Sequence, residues 1–447
     1  MGLRSMVGRD LGNSWLEETG RRLWRSLPVF ARQSVARELI ARLKPRLSRP
    51  ASELLPDRSI PRIVVGLLSS ASGLGQSARL AAKALQAQGF TVLGVDLTRY
   101  FYESGRIIQH GLRDGRRCYG AAHVIVVINA PFMPYALTLL GGKFIRDKHV
   151  TGYWAWELPR VPHNWVFGLS AVHDVAVPSR FTADSVQRLS PELPVRIAPH
   201  PVSLAHPAPH LALAEVKPRP FTILSACSIA SGFNRKNPLA TIRAFRRAFG
   251  NDSSKRLKLL VTNVHHFPQA RDAIEAEVNG SRNIQISWQV LEPMAFARWW
   301  SEGDIYLSLH RAEGFGLPLA EAMCAGMPAV ATGWSGNVDY MDTANGYLIE
   351  YSLIDVDDAQ GKYPSDLGQW AEPNIEHASA ILTHLATNKA SALAKACAYA
   401  AIAQSKLSGK AFVDSLTKSS CQIVVASRSS NETPSSTPDK RRNIDRG

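Results

Sequence analysis

Residues 304–342 constrain the fold of this chain more than any other stretch. They open with a short apolar run, residues 304–309, which predicts a buried strand because it is too brief for an ordinary helix. A glycine-rich loop follows at residues 310–316, and residues 317–325 then predict a helix with a proline in its first turn. Residues 327–332 predict the next buried strand. This order of strand, loop, helix and strand presents a helix N-terminus to an anionic group and predicts a phosphate-binding α/β unit.

Two carboxylates flank the glycines of this loop. Glu313 lies in the loop, and Glu321 lies about one turn into the predicted helix. Between them, Gly314 and Gly316 allow a ligand to approach the backbone closely, because glycine has no side chain. Carboxylates accept hydrogen bonds from hydroxyl groups, and a helix N-terminus favours a diphosphate. The stretch therefore predicts a binding site for a phosphorylated sugar nucleotide.

Composition limits the class of protein and its compartment. The chain has 447 residues, 45% of them hydrophobic, which predicts two or three globular domains. A formal net charge of +15 favours anionic partners such as nucleotide diphosphates, anionic lipid or nucleic acid. The five cysteines are scattered without metal-ligand spacing, so we expect a reducing compartment and neither a disulfide framework nor a zinc site. No apolar run is long enough for a transmembrane helix or a signal peptide, and we therefore expect a cytoplasmic protein.

Alternating apolar strands and amphipathic helices occur in two series, which predict two doubly wound α/β domains that face each other across a cleft. A segment with four prolines separates the series and predicts a linker. The predicted divisions are a basic helical N-terminal extension (1–57), a first domain (58–205), the linker (206–220), a second domain (221–376), closing helices (377–426) and a disordered tail (427–447).

Residues 1–57 are rich in arginine and carry apolar residues at helical spacing. Two interpretations stay open for this extension. It lies on anionic lipid headgroups, or it forms a helical pair that caps the first domain with its arginines in solvent.

The first predicted strand, residues 63–68, leads into the small-residue loop SSASGLGQ at residues 69–76, and a helix is predicted from residue 77. The loop contains Gly73 and Gly75 but lacks the third glycine of the dinucleotide fingerprint. Ligands of doubly wound sheets bind outside the carboxyl ends of the strands. The residues predicted at such ends are Gly73, Gly75, Asn129, residues 153–157, Ser179, Arg180, Arg235, Lys236 and residues 313–321.

The sequence EGFGLPLAE, from Glu313 to Glu321, resembles the E-x7-E motif of the retaining glycosyltransferase family 4, also called group 1. The resemblance covers roughly residues 61–420. Within that family, the sequence resembles bacterial members that make polysaccharides and capsules. It implies the GT-B fold, in which two Rossmann-like domains hold the acceptor in the first domain and the nucleotide sugar in the second.

The resemblance also implies roles in the second domain. Glu313 would orient the donor sugar, and Glu321 would accept hydrogen bonds from the ribose hydroxyls. Arg235 and Lys236 would stabilise the leaving diphosphate, although Ser231 and its neighbours stand where the family usually has an arginine. The backbone N–H groups that would hold the diphosphate belong to Phe315, Gly316 and Leu317.

In the first domain, the resemblance implies that the backbone at Gly73 and Gly75 approaches the donor phosphate. Residues 153–165 form a loop rich in tryptophan. Within it, Trp154, Trp156 and Glu157 would form an apolar platform and a hydrogen-bond acceptor for the acceptor sugar. The alternative is that these tryptophans pack inside the domain.

The function implied is a retaining transfer of a sugar from a nucleotide-diphosphate sugar to a saccharide or lipid-linked acceptor in bacterial cell-surface polysaccharide synthesis. It requires no cofactor and no metal, because the Asp-x-Asp sequence at residues 355–357 lies in a polar stretch without a predicted strand before it. Two alternatives remain: a sugar-nucleotide epimerase on the same fold, and a non-enzymatic basic protein that binds membrane or nucleic acid. Dispersed positive charge without a recognition motif argues against nucleic acid as a partner. Peripheral contact with the inner face of the plasma membrane stays open.

Overall fold

The computed structural model describes residues 40, 44–48, 51–101, 107–202 and 219–417. Most of the predicted extension (1–57), nearly all of the predicted linker (206–220), residues 418–426 of the predicted closing segment and the whole predicted tail (427–447) lie outside the described residues. No helix in the described ranges is long and apolar enough to cross a membrane.

The first domain is a six-stranded parallel sheet with helices on both faces, in the order β2-β1-β3-β4-β5-β6. Its strands are β1 (Arg62–Gly66), β2 (Val92–Asp96), β3 (Ala122–Val127), β4 (Lys148–Tyr153), β5 (Asp174–Val177) and β6 (Val195–Ile197). Its helices are α1 (Gly73–Ala87), α2 (Thr98–Phe101), α3 (Met133–Leu140), α4 (Gly142–Ile145), α5 (Val166–Leu169) and α6 (Arg180–Gln187). Because side chains alternate along a strand, Ile63 and Val65 pack on the α3 face and Val64 packs on the α1 face.

The second domain repeats this architecture, with six parallel strands in the order β12-β11-β10-β7-β8-β9. Its strands are β7 (Phe221–Ser228), β8 (Lys255–Thr262), β9 (Ile284–Ser287), β10 (Ile305–Ser308), β11 (Ala329–Thr332) and β12 (Tyr347–Ile349). Its helices are α7 (Phe233–Lys236), α8 (Pro238–Phe249), α9 (Gln269–Val278), α10 (Pro293–Ser301) and α11 (Leu317–Cys324). Ile223 packs on one face of this sheet with α8, and Leu224 packs on the other face with α11.

Each sheet reverses its strand order at one place. In the first domain β1 lies between β2 and β3, and in the second domain β7 lies beside β10 although β8 and β9 come between them along the chain. A crevice opens at the carboxyl ends of the strands at such a reversal, because the two crossover connections leave in opposite directions. The loops after β1 and β3 in the first domain, and after β7 and β10 in the second, are therefore the ones that the fold offers to a ligand.

A two-stranded antiparallel hairpin, β13 (Tyr351–Asp355) and β14 (Gln369–Pro373), follows the second sheet. We call residues 351–373 the hairpin. Its buried side chains Val356, Tyr363, Leu367 and Trp370 belong to the hydrophobic cluster of the first domain. The hairpin therefore connects the two domains.

Three helices end the described chain: α12 (Ile375–Thr387), α13 (Lys389–Lys406) and α14 (Gly409–Thr417). The first two pack on the second domain, whereas α14 returns to the first domain and packs Phe412, Val413 and Leu416 beside α1. The 3-10 helices of the described chain are Ser52–Leu54, Ala130–Phe132, His163–Trp165, Ile229–Ser231, Val264–His266, Gly336–Asp339 and Ser365–Leu367.

The predicted fold class is confirmed: two Rossmann-like α/β domains followed by C-terminal helices. Two local predictions are wrong. Helix α1 begins at Gly73 and not at residue 77, because the Ser72 hydroxyl accepts the N–H of Gly75 at 3.2 Å and caps a helix that already contains both glycines. Strand β13 runs into the Asp-x-Asp sequence, since Asp355 is its last residue.

Gly75 tests the packing of α1 on the loop after β1. A Cβ atom there would lie 2.4 Å from the Ser70 carbonyl oxygen and 2.7 Å from that of Leu67, so Gly75→Ala forces the backbone apart. We expect a loss of about 1–3 kcal/mol in the free energy of unfolding, measured by chemical denaturation. Gly73→Ala is the matched control, because a Cβ atom at residue 73 would have no other atom within 4 Å. Equal stability of the two variants would contradict this account.

Candidate functional site

The carboxyl ends of β7 and β10 bring the predicted charged residues together. The chain after β7 ends in α7, which carries Arg235 and Lys236, and the loop after β10 carries Glu313. The Lys236 Nζ forms an ion pair with one carboxylate oxygen of Glu313. The Arg235 Nη1 lies 3.2 Å from the other oxygen. These three residues, predicted after the carboxyl ends of two strands, therefore lie together at one edge of the second sheet. Their catalytic roles stay a prediction.

Arg235 is buried beneath this ion pair, with 2% of its side chain exposed. Its Nη2 donates to the Ser231 carbonyl at 2.8 Å, and its Nη1 donates to the Ala312 carbonyl at 2.6 Å. Its Nη2 also lies 3.8 Å from Glu157 of the first domain. The predicted contact between Arg235 and a diphosphate does not fit this burial, because protein groups already use the guanidinium. Arg235 holds Glu313, and Lys236, with 18% of its side chain exposed, is the cation open to a ligand.

Glu313 is ionised although it is buried. Burial alone raises the pKa of a carboxyl group, but the nearby charges of Lys236 and then Arg235 outweigh burial and hold the pKa of Glu313 at about 2. The backbone is fixed as well, since the Glu313 N–H donates to the Ser335 hydroxyl at 2.8 Å and its carbonyl accepts the Gly336 N–H at 2.8 Å. The site thus contains a fixed carboxylate whose charge persists at any physiological pH.

The loop after Glu313 leads through Gly316 into the N-terminus of α11. Gly316 has φ +88° at the N-cap of α11, a left-handed conformation that glycine adopts at least cost. The Tyr340 hydroxyl contacts the carbonyl oxygens of Phe315 and Gly316 at 2.7 and 3.0 Å. No side chain caps α11, and within the described residues no partner accepts the N–H groups of Phe315, Gly316 or Leu317. These are the N–H groups predicted to hold a diphosphate.

Glu321 lies in the second turn of α11, where its surroundings differ from those of Glu313. No cation pairs with its carboxyl group in the described part of the chain, and burial raises its pKa from 4.5 to about 7. A carboxylate in such a position is stabilised by any hydroxyl group that donates a hydrogen bond to it. The two predicted carboxylates are therefore in opposite electrostatic states.

The two glycines of α1 have different environments. Gly75 is buried against the loop after β1, as the contacts described above require, so protein packing accounts for it. Gly73 is exposed at the start of the helix, with open space where a side chain would be. Of the two predicted donor-binding glycines, only Gly73 has a backbone that a ligand can reach.

The two tryptophans of the predicted acceptor platform are buried and do not form an exposed surface. Trp154 is fully buried and meets Trp165 edge to face at 5.6 Å between ring centroids. Trp156 is 9% exposed, donates its indole N–H to the Arg160 carbonyl at 2.8 Å and packs on Tyr363 at 5.5 Å. The prediction that these tryptophans bind the acceptor is corrected to the alternative, packing, because Trp154 packs on Trp165 inside the first domain and Trp156 packs on Tyr363 of the hairpin.

Glu157, the third predicted platform residue, joins an interdomain network. It accepts a hydrogen bond from the Tyr363 hydroxyl of the hairpin at 3.1 Å and lies near Arg235. The hairpin is further tied to the first domain by the Arg160 N–H, which donates to the Leu367 carbonyl at 3.2 Å. Sequence analysis missed Tyr363, since nothing in its local pattern indicates a contact with a residue 206 positions earlier.

A second contact between the domains lies at the start of α6. The Arg180 N–H donates to the carboxylate of Asp339, and Phe181 packs on Trp334 at 5.7 Å between ring centroids. Asp339 therefore caps a helix of the opposite domain, in keeping with the preference of helix N-termini for negative charge. In the sequence, the only local indication of this helix start is Ser179, because serine is a preferred residue at a helix N-cap.

Residues 220–359 match the family model described as "Glycosyl transferases group 1". The match covers the second domain, with Lys236, Glu313 and Glu321, and part of the hairpin. No curated protein is a significant match to the chain.

Solved structures show the fold. A structure of Anabaena HepE in complex with UDP and glucose has a TM-score of 0.57 and 11% identity, and the match covers 79% of this chain and 97% of that one. Sucrose-phosphate synthase from Thermosynechococcus elongatus has a TM-score of 0.56 and 14% identity, with 79% and 96% covered. The chain has the GT-B fold.

A third similar structure is that of Staphylococcus aureus TarM, a complex with fondaparinux, alpha-GlcNAc-glycerol and UDP, at a TM-score of 0.50 and 14% identity. That match covers 66% of this chain and 54% of the other, so the chain spans about half the length of TarM.

Glu321→Gln tests the electrostatic state of Glu321. A carboxyl pKa of about 7 in the folded protein against an ordinary 4.5 means that ionisation above pH 7 destabilises the native state by roughly 3 kcal/mol. We expect Glu321→Gln to raise the midpoint of thermal unfolding at pH 8. The gain should shrink as pH falls from 7 towards 4.5, because the carboxyl of the unfolded chain then becomes protonated as well.

Glu192→Gln is the matched control, because Glu192 is exposed. It should leave the midpoint nearly unchanged at every pH. Indistinguishable profiles for the two variants would show that the Glu321 carboxyl is not destabilised by burial.

Proposed function

We propose that the protein is a retaining glycosyltransferase that moves a sugar from a nucleoside-diphosphate sugar to a saccharide or lipid-linked acceptor. The observation that carries the proposal is the arrangement at the β7–β10 reversal. A fixed carboxylate, Glu313, is paired with a partly exposed cation, Lys236, beside an uncapped helix N-terminus. Such a site supplies partners for a sugar and a diphosphate at once.

The diphosphate is held at the start of α11. The N–H groups of Phe315, Gly316 and Leu317 donate to its oxygens, and the helix dipole favours its charge. The ribose hydroxyls donate to Glu321, which then takes its charged form because it gains hydrogen bonds that the protein alone does not supply. UDP is the first nucleotide to test, since UDP is bound in the HepE and TarM structures.

The reaction is promoted mainly by electrostatics. The bond between the anomeric carbon and the β-phosphate oxygen breaks, the acceptor oxygen bonds to the same face of the sugar, and the acceptor proton passes to the leaving phosphate oxygen. Negative charge grows on the diphosphate in this step, and Lys236 with the N–H groups of α11 stabilises it. Glu313, held by Arg235, orients the sugar hydroxyls.

Arg235 is a positioning residue in this proposal. When the diphosphate attracts Lys236, Glu313 loses one of its two cations, and the Arg235 contact keeps the carboxylate ionised and in place. The mechanism uses no metal ion and no cofactor. The net charge of +15 favours peripheral contact with the anionic inner face of the plasma membrane, where a lipid-linked acceptor for surface polysaccharide synthesis would lie.

Donor binding and product stereochemistry test the proposal. We expect one sugar nucleotide among a panel of UDP- and GDP-sugars to raise the unfolding temperature selectively. With that donor and saccharide acceptors, NMR of the product should show the anomeric configuration of the donor. An inverted product would overturn the retaining assignment, conversion of the donor without an acceptor would indicate an epimerase, and no stabilisation by any sugar nucleotide would overturn the proposal.

Substitution of the two carboxylates should separate their roles. We expect Glu313→Gln to lower kcat by about a thousandfold, because it removes the charge that orients the sugar. Glu321→Ala should mainly raise KM for the donor and lower kcat little, because ribose binding is shared by ground and transition states. Glu192→Ala serves as the exposed control, and circular dichroism checks folding. Equal effects on kcat and KM in both variants would contradict the separate roles.

A further inference from the structure

His200 lies where the two domains meet, directly after β6. Its side chain is buried, with 5% of the residue exposed. The Nδ1 atom is 3.0 Å from the Tyr153 hydroxyl oxygen, and the Nε2 atom is 3.4 Å from the Ser77 Oγ. Its ring meets Phe315 of the second domain edge to face, with 5.1 Å between the ring centroids and an angle of 88°.

The hydrogen bonds assign the proton on this imidazole. The Tyr153 hydroxyl donates to the Ala198 carbonyl at 2.8 Å, because a carbonyl oxygen only accepts. The Tyr153 oxygen therefore accepts the N–H at Nδ1 of His200. The Ser77 hydroxyl donates its one proton to the Gly73 carbonyl, so the unprotonated Nε2 atom contacts the Ser77 Oγ at 3.4 Å without a hydrogen bond. The tyrosine, itself buried against Phe412 of α14, fixes the orientation of the ring.

The partners of His200 belong to the two phosphate-binding elements. Ser77 lies one turn after Gly73 in α1, and its hydroxyl reaches the Gly73 carbonyl at 2.9 Å. Phe315 belongs to the loop before α11, and the Tyr340 hydroxyl holds its carbonyl oxygen. The imidazole of His200 thus contacts both the helix α1 and the loop before α11.

The surroundings of His200 favour a neutral ring. Burial lowers its pKa to about 3, so the ring is neutral at physiological pH. Within the described residues no carboxylate or cation contacts the ring, and its polar neighbours are the hydroxyls of Tyr153 and Ser77. A neutral ring held in one orientation between elements of two domains is suited to setting their relative position.

We propose that His200 is a positioning residue of the donor site, which holds Phe315 against the start of α1 so that the two phosphate-binding elements face each other across the cleft. The proposal rests on the proposed function, since it assigns these elements to the donor diphosphate. His200 touches neither substrate nor reacting atoms. It acts through Phe315, whose position sets the direction of the N–H groups at residues 315–317.

The test is a cycle of His200→Ala, Phe315→Ala and the double variant, with the Kd for UDP measured by isothermal titration calorimetry. We expect His200→Ala to weaken UDP binding by about tenfold. The double variant should bind UDP no more than about twofold more weakly than Phe315→Ala alone, because His200 acts through that side chain. His123→Ala is the matched control, since His123 is also fully buried in the first domain but lies at the start of β3. It should lower stability and leave the Kd for UDP unchanged.

The outcomes separate this proposal from the function on which it rests. If the wild-type protein bound neither UDP nor any sugar nucleotide, the proposed function would fail first. If it bound UDP and His200→Ala bound UDP equally well, or if the two losses were additive in the double variant, the positioning role would be overturned and the function would stand. Should His200→Ala fail to fold, His200→Phe keeps a ring beside Phe315 but removes the hydrogen bond to Tyr153. We expect weaker UDP binding in this variant too, and wild-type affinity would overturn the proposal.

Discussion

The ion pairs of Glu313 are the interaction on which the candidate site depends. A buried carboxylate is costly unless cations and hydrogen bonds compensate its lost hydration. Here Lys236 and Arg235 come from the end of β7 and Glu313 from the end of β10, so the compensation also joins the two loops at the reversal of the sheet. A pKa of about 2 for Glu313 shows that the cations more than offset burial. Removal of Glu313, or of one of its two cations, would leave an uncompensated charge buried in the second domain.

The same ion pairs couple the site to the arrangement of the domains. Arg235 is close to carboxylates of both domains, Glu313 at 3.2 Å and Glu157 at 3.8 Å, and the Tyr363 hydroxyl donates to Glu157. The hairpin that supplies Tyr363 belongs to the second domain by sequence and to the first domain by packing. A change in the angle between the domains would therefore alter the surroundings of the carboxylate that is proposed to orient the sugar.

Much of this organisation is predictable from local sequence. The strand, loop, helix and strand at residues 304–332 follow from apolar runs, a proline and two glycines, and the parallel arrangement then brings Lys236 and Glu313 to one edge. The burial of Arg235 is not predictable in this way, because two adjacent cations look equivalent in sequence. Successive side chains of a helix point about 100° apart, so the short helix α7 buries Arg235 and leaves Lys236 partly exposed. The hairpin was missed because its contacts are distant in sequence and its own composition is polar.

The aromatic loop at residues 153–165 shows why motif and environment must be judged together. Tryptophans beside a predicted cleft are compatible with sugar recognition and with packing. The contacts of Trp154 with Trp165 and of Trp156 with Tyr363 of the hairpin decide for packing. The glycines of α1 pose the same choice. Gly75 is required by two carbonyl oxygens of the protein, whereas a Cβ atom at Gly73 would have open space around it among the described residues. Packing therefore accounts for one glycine of α1, and the open space at the other is compatible with the approach of a diphosphate that we propose.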